Sequence, residues 1–145
     1  MYRNPLFISW VLILVLIAVL HIIALEFFLY WIYSWFDILM HFLGGLFVVL
    51  SALWFFFQSG YVRINQNIRN IIIVSVSSIV LIGVSWEIFE VIAGVPIEDN
   101  YILDTITDLI MDVVGTIVAT FAFVKIYAVV GQGVKNKGDD KYDNE

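Results

Sequence analysis

The chain has 145 residues, of which 62% are hydrophobic, with a formal net charge of −6 and a mean hydropathy of +0.98. This composition excludes a soluble domain with a buried core, and the acidic balance argues against a nucleic-acid partner, which would require a basic face. No cysteine is present, so disulfides and thiolate ligands are excluded.

Apolar runs long enough to cross a bilayer recur along the whole chain, which predicts an all-α, polytopic membrane domain over residues 1–130. Four spans can be drawn, from about 6 to 29, 37 to 57, 70 to 93 and 104 to 130, arranged as an antiparallel four-helix bundle. The first run follows Met-Tyr-Arg-Asn-Pro without a small-residue cleavage site and reads as a retained span, not a removed signal peptide. The aromatic set from Phe27 to Phe36 marks where the chain reaches the interface and turns. Ser34 with Asp37 three residues later matches a capping box for the second helix. Ser59-Gly60 ends that helix, Asn67 or Asn70 opens the third, and Gly94 with Pro96 stops it. The tail from 131 to 145, rich in Gly, Lys and Asp, is expected to be a disordered cytoplasmic segment.

Basic residues set the expected orientation. Arg3 precedes the first span, Arg63 and Arg69 lie between the second and third, and Lys135, Lys137 and Lys141 follow the fourth. Lys125 is near enough to that last end to snorkel. The connections after spans one and three carry no basic residue, and the latter carries Glu98 and Asp99. The positive-inside rule then places both termini in the cytoplasm.

On that topology the acids converge at one depth. Glu26, Asp37, Glu87, Glu90, Asp104, Asp108 and Asp112, with His21 and His41 among them, fall in or beside the outer halves of the spans. No Lys or Arg occurs between Asn4 and Val62 or between Asn70 and Val124. Acids in lipid without a cationic side chain require protons or a metal, which makes the cluster a functional candidate. Each set lies on one helical face by i,i+3 or i,i+4 spacing, with Gly44 and Gly45, Gly83, and Gly115 on the same stripes. Those glycines read as packing devices that bring helix backbones together.

Simpler roles compete at some positions. Asp37 serves equally as a cap, Asp104 complements the helix dipole, Glu26 sits at the solvated interface, and an isolated His21 reads as structural. Glu87, Glu90, Asp108 and Asp112 lie roughly one to two turns inside their spans, beyond any cap. A mid-helix Asp costs about 2.5–3.5 kcal/mol to insert, so four acids need compensation. With His41 they form the expected metal site; Asp37, Asp104 and His21 are additional candidates. Oxygen ligands favour Mg²⁺, Ca²⁺ or Mn²⁺, and an imidazole admits Mn²⁺, Fe²⁺ or Zn²⁺. Inward carboxylate pairs are similar to di-metal carboxylate bundles, although Glu87/Glu90 is Glu-x-x-Glu where those have Glu-x-x-His. The Asp104, Asp108, Asp112 run is similar to aspartate runs that bind Mg²⁺ and lipid diphosphates in membrane transferases.

Asp37-x-x-x-His41 with Gly44-Gly45, Trp86-Glu87-x-x-Glu90, and Asp104-x-x-x-Asp108-x-x-x-Asp112-x-x-Gly115 together resemble the YjdF-like family of small membrane proteins, over roughly Asp37 to Ala119. More distantly the arrangement resembles the VanZ-like proteins, which are linked to glycopeptide-antibiotic tolerance. Those have Glu-x-x-Gln in the third helix and Asp-x-x-x-Asn-x-x-Gly in the fourth. The basic residue they carry before the fourth span has no counterpart here. The resemblance implies site residues rather than a reaction.

Three functions fit these residues. One is an enzyme whose Mg²⁺, Mn²⁺ or Zn²⁺ ion polarises a lipid or lipid-linked phosphate reached from the outer leaflet. The second is a proton or cation transporter, for which the inner halves offer Ser9, Ser51, Ser75, Ser77, Ser78, Thr116 and Thr120 but no carboxylate or histidine. The third is an accessory subunit that binds a basic partner helix. The enzyme ranks first; oligomeric state is not legible.

Overall fold

A computed structural model describes the backbone of residues 5–62, 64–94 and 100–139, and the side chains of 7–62, 64–94 and 100–126. It is all-α: α1 (Pro5–Glu26), α2 (Leu29–Ile32), α3 (Ser34–Phe57), α4 (Ile68–Ala93) and α5 (Tyr101–Asp139). Four segments, Phe7–Glu26, Ser34–Phe57, Ile68–Ala93 and Tyr101–Ile126, are long and apolar enough to cross a membrane, with mean hydropathies of 2.9, 2.1, 2.2 and 2.0. Helices suit that setting because every interior backbone group is satisfied within its own segment.

The chain runs up and down, so successive long helices are antiparallel, yet the most extensive packing joins α3 and α5, which run in the same direction. A Cβ at Gly45 would collide with the backbone carbonyl of Asp112, and one at Gly115 with the carbonyl of Phe42. The two glycines thus let each backbone settle onto the other, the close approach that small residues permit in membranes. Helix α4 lies against both. Its buried stripe, Ile71, Ser75, Ile79, Gly83 and Glu87, repeats every fourth residue. Away from the acids, Val49, Leu50, Leu53, Ile71, Val74, Ile79, Ala119 and Phe123 form the apolar core. Thr120 Oγ1 donates to Ser75 Oγ there at 2.9 Å, tying α5 to α4.

Helix α1 is peripheral: only 6% of its most apolar window is buried, against 28–33% for the other three. It packs on α3 and α2. Near one end Trp10 stacks on Trp54 with ring centroids 5.9 Å apart and donates its indole N–H to Ser51 Oγ. Near the other, Ala24 is fully buried. Within the expected four-helix arrangement, α3, α4 and α5 pack together and α1 is docked on the α3 side.

Several boundaries differ from expectation. The first span stops at Glu26, not Leu29, because Phe28 takes a left-handed conformation (φ 56°) and starts the short α2. Ser34 does not cap α3: Tyr33 holds the N-cap position, without a side-chain cap bond, and Asp37 lies in the first turn. Asn67 does cap α4, accepting from the Asn70 amide at 2.8 Å, and Gly94 ends it with φ 68°. Pro96 lies outside the described residues, as do Arg3, Arg63, Glu98, Asp99 and Lys141. The backbone of α5 continues to Asp139 through a stretch expected to be irregular. Extension from an established span needs no new nucleation, which removes the main barrier to helix there. The rest of that tail, 140–145, lies outside the described residues.

Gly44 corrects the packing assignment, since a Cβ there would meet nothing within 4 Å. Gly45→Ala and Gly115→Ala should each destabilise the detergent-solubilised protein by about 1–3 kcal/mol or more, as overpacking does. Gly44→Ala should leave thermal unfolding unchanged or slightly raised, and equal losses at all three positions would contradict the backbone contact.

Candidate functional site

The α3–α5 contact brings the two helices' polar stripes face to face. His41 is buried one turn before Gly45, and Asp108 and Asp112 flank it from α5. Its Nε2 lies 3.9 Å from Asp108 Oδ2, and its Nδ1 lies 3.6 Å from Asp112 Oδ1. Asp112 is fixed from two further sides. Thr116 Oγ1 donates to its backbone carbonyl at 2.9 Å, and Gly83 leaves room for Oδ2, which a Cβ would approach to 2.8 Å. The absence of a side chain at position 83 therefore shapes the pocket around a carboxylate.

Helix α4 adds Glu87 and Glu90. Glu87 is 6% exposed, so it points into the protein and not toward lipid. Glu90 is half-buried and is held by Trp86, whose indole N–H donates to Oε1 at 2.9 Å one turn earlier. Two sets of potential ligand atoms lie within 4.8 Å of one another: Asp37, His41 and Asp108, and His41, Glu87 and Glu90. His41 belongs to both. Ligands at ~2.1 Å from one ion are at most about 4.2 Å apart, so each set needs only a small contraction to enclose a cation.

Two carboxylate oxygens in this cluster, Glu87 Oε1 and Asp108 Oδ1, are buried with no hydrogen-bond partner, and Thr105 Oγ1 shares that condition. An unanswered buried acceptor costs about 1–3 kcal/mol, more when charged. The single Thr105 hydroxyl can donate to one of them at most. No Lys or Arg lies between Asn4 and Val62 or between Asn70 and Val124, so a proton or a bound cation has to answer the rest.

Of the expected residues, the two ligand sets hold His41, Glu87, Glu90 and Asp108, together with Asp37; Asp112 lies outside both sets and meets the cluster through His41 Nδ1. Asp104 stands half-buried in the first turn of α5, outside both ligand sets. His21 is exposed on α1, also outside them, and pairs through Nδ1 with the Tyr30 hydroxyl at 2.9 Å. Tyr30 lies on α2, outside the spanning segments. Its burial, aided by nearby Asp37 and Glu90, pushes the hydroxyl up to about 12, so it stays protonated as a donor. Glu26 is exposed, in keeping with an interfacial role. Lys125 lies over the Phe121 ring, 5.3 Å from its centroid, away from the acids.

Between α1 and α4, with α3 as floor, a cavity of about 430 Å³ reaches part of this cluster; Glu87 and Asp108 are not among its lining residues. Asp37, His41, Glu90 and Asp112 line one region of it, while His21 and Tyr30 face it from the α1 side. Sequence reasoning missed Tyr30, Thr105 and the cavity itself. Tyr30 is hidden in a run of aromatic residues that interface anchoring already explains. Thr105 stands three residues before Asp108, on a neighbouring line of the same helix, and that spacing was the one signal for it.

Residues 1–128 match a family described as "Predicted membrane protein (DUF2238)", and the chain belongs to that family. It is an integral membrane protein with four membrane-spanning helices. No curated protein and no solved structure matches it.

Because His41 is the basic partner that the buried Asp108 and Asp112 share in these contacts, His41→Ala should lower the stability of metal-free protein by about 3–5 kcal/mol. Adding Asp108→Asn and Asp112→Asn to that variant should restore much of the loss. Thermal unfolding in chelator reads both effects, and an unchanged midpoint for His41→Ala would contradict the pairing.

Proposed function

We propose that the protein holds a divalent cation, Mg²⁺, Mn²⁺ or Zn²⁺, with His41, Glu87, Glu90, Asp108 and Asp112, assisted by Asp37, and acts on a lipid or lipid-linked phosphate. The observation that carries this reading is the pair of buried, unpartnered carboxylate oxygens on Glu87 and Asp108 beside His41. One imidazole among carboxylates suits Mn²⁺ or Zn²⁺ at least as well as Mg²⁺. A divalent ion bound there supplies Lewis acidity toward a phosphoryl oxygen. The chain's own residues hold the acids in place: Trp86 orients Glu90, and Gly83 leaves the space that the Asp112 carboxylate occupies. The likeness of these motifs to YjdF-like and, more distantly, VanZ-like proteins supports the same residues as the functional set.

Transport of protons or cations is the second reading, favoured by the hydroxyls below the acids, where Thr116 bonds to Asp112 and Thr120 to Ser75. It ranks lower because the apolar core surrounds that stripe and, among the described residues, no carboxylate or histidine continues it. We also propose that the protein lies in the cell membrane with both termini cytoplasmic, on the distribution of Arg3, Arg63, Arg69, Lys135, Lys137 and Lys141.

Purified protein should bind a divalent ion that the Glu87→Gln/Asp108→Asn double variant does not bind, as measured by metal analysis after desalting. Equal metal content in the two proteins would refute the site, whereas ion uptake into sealed proteoliposomes, lost in Asp112→Asn, would favour transport. The chain has no native cysteine, so single cysteines report orientation directly. In right-side-out vesicles an impermeant maleimide should label Asn100→Cys and spare Asn144→Cys; the reverse pattern would invert the topology.

A further inference from the structure

We propose that the cavity between α1 and α4 is a hydrocarbon-chain site, filled by one acyl chain of a phospholipid taken sideways from the surrounding leaflet, with Gly44 as its floor. This inference rests on the reading of the acidic cluster as the end where a headgroup is handled, and it adds how the lipid is held.

The cavity is amphipathic along its length. Ile17, Phe47, Val48, Ile79 and Ile82 line its apolar part, while Asp37, His41, Glu90 and Asp112 belong to the polar part. Its volume of about 430 Å³ falls in the range of small-molecule sites, ~300–1,000 Å³. From Asp37 to Phe47 helix α3 rises roughly 15 Å at ~1.5 Å per residue, half of a ~30 Å hydrocarbon core. The cavity therefore has the depth of one leaflet. Tyr30 and Trp31 stand at the acidic end, where the aromatic residues of an interface belong.

Gly44 supplies the second argument. A glycine within a helix weakens it relative to alanine. Gly45 answers that cost with a backbone contact, but a Cβ at Gly44 would meet nothing within 4 Å. Packing does not require glycine at position 44. An open floor under an apolar chain does require a small residue there. A partner helix fits less well: helix–helix contacts in membranes use small residues at the meeting surface. Here large side chains, Phe47, Ile82 and Leu25, form the walls; of the two glycines in the lining, Gly83 is taken up by the Asp112 carboxylate, which leaves Gly44 as the open one.

The test uses the full chain in detergent, exchanged with palmitoyl-oleoyl phosphatidylglycerol and examined by native mass spectrometry. Wild type should retain a lipid, Gly44→Ala should retain it less well, and Gly44→Phe should weaken retention by roughly tenfold or more. Ile17→Trp, which fills the cavity from the opposite wall, should do the same and decides the matter if Gly44→Phe does not fold. A phospholipid with a diazirine in its acyl chain should label peptides containing Ile17, Val48 and Ile82 above the other lipid-facing segments. Undiminished retention in both filled variants, uniform labelling, or a second copy of the chain crosslinked across the cavity would overturn the proposal. Divalent-ion binding should survive in both filled variants. Its absence from wild type, with lipid retention intact, would remove the metal reading and leave the chain site standing.

Discussion

Two parallel helices, α3 and α5, touch backbone to backbone at Gly45 and Gly115, and the rest of the structure is arranged around that contact. In a bilayer, apolar side chains gain little by leaving lipid for one another, so close packing has to come from shape and from polar contacts. The paired glycines provide the shape. They set the distance at which His41, one turn before Gly45, meets Asp108 and Asp112 on the stripe that leads to Gly115. A larger residue at either glycine position would separate the helices and the polar groups together.

The polar groups then pose a problem that packing alone does not solve. One histidine faces several acids, and no lysine or arginine lies between Asn4 and Val62 or between Asn70 and Val124. Removing a buried carboxylate's partner is expensive in any protein interior, and a membrane offers no water as a substitute. Glu87 and Asp108 each keep one buried oxygen without a hydrogen bond. This tension between burial and missing positive charge is what supports the proposal of a bound cation.

Much of this was legible because helical spacing reports faces. The i,i+4 repeats of Asp104, Asp108 and Asp112, and of Asp37 and His41, indicated which sides turn inward. Spacing does not report partners or distances. It could not separate Gly44 from Gly45, which are adjacent in sequence but do opposite things, one opening a cavity and the other closing a contact. It left Asp37 open between a capping box with Ser34 and the acidic site, whereas in the fold Tyr33 takes the cap position and Asp37 joins His41. The peripheral position of α1 was also hidden, because a helix apolar on every side carries no face to read.

The central claim is that His41 and the acids share one cation, and pulsed electron paramagnetic resonance of Mn²⁺-loaded protein tests it most directly. A shared ion predicts coupling to one directly bound imidazole nitrogen, absent in His41→Ala, within an otherwise oxygen-ligand spectrum. Mn²⁺ that shows only its hydrated signal, or a nitrogen coupling that survives in His41→Ala, would contradict it.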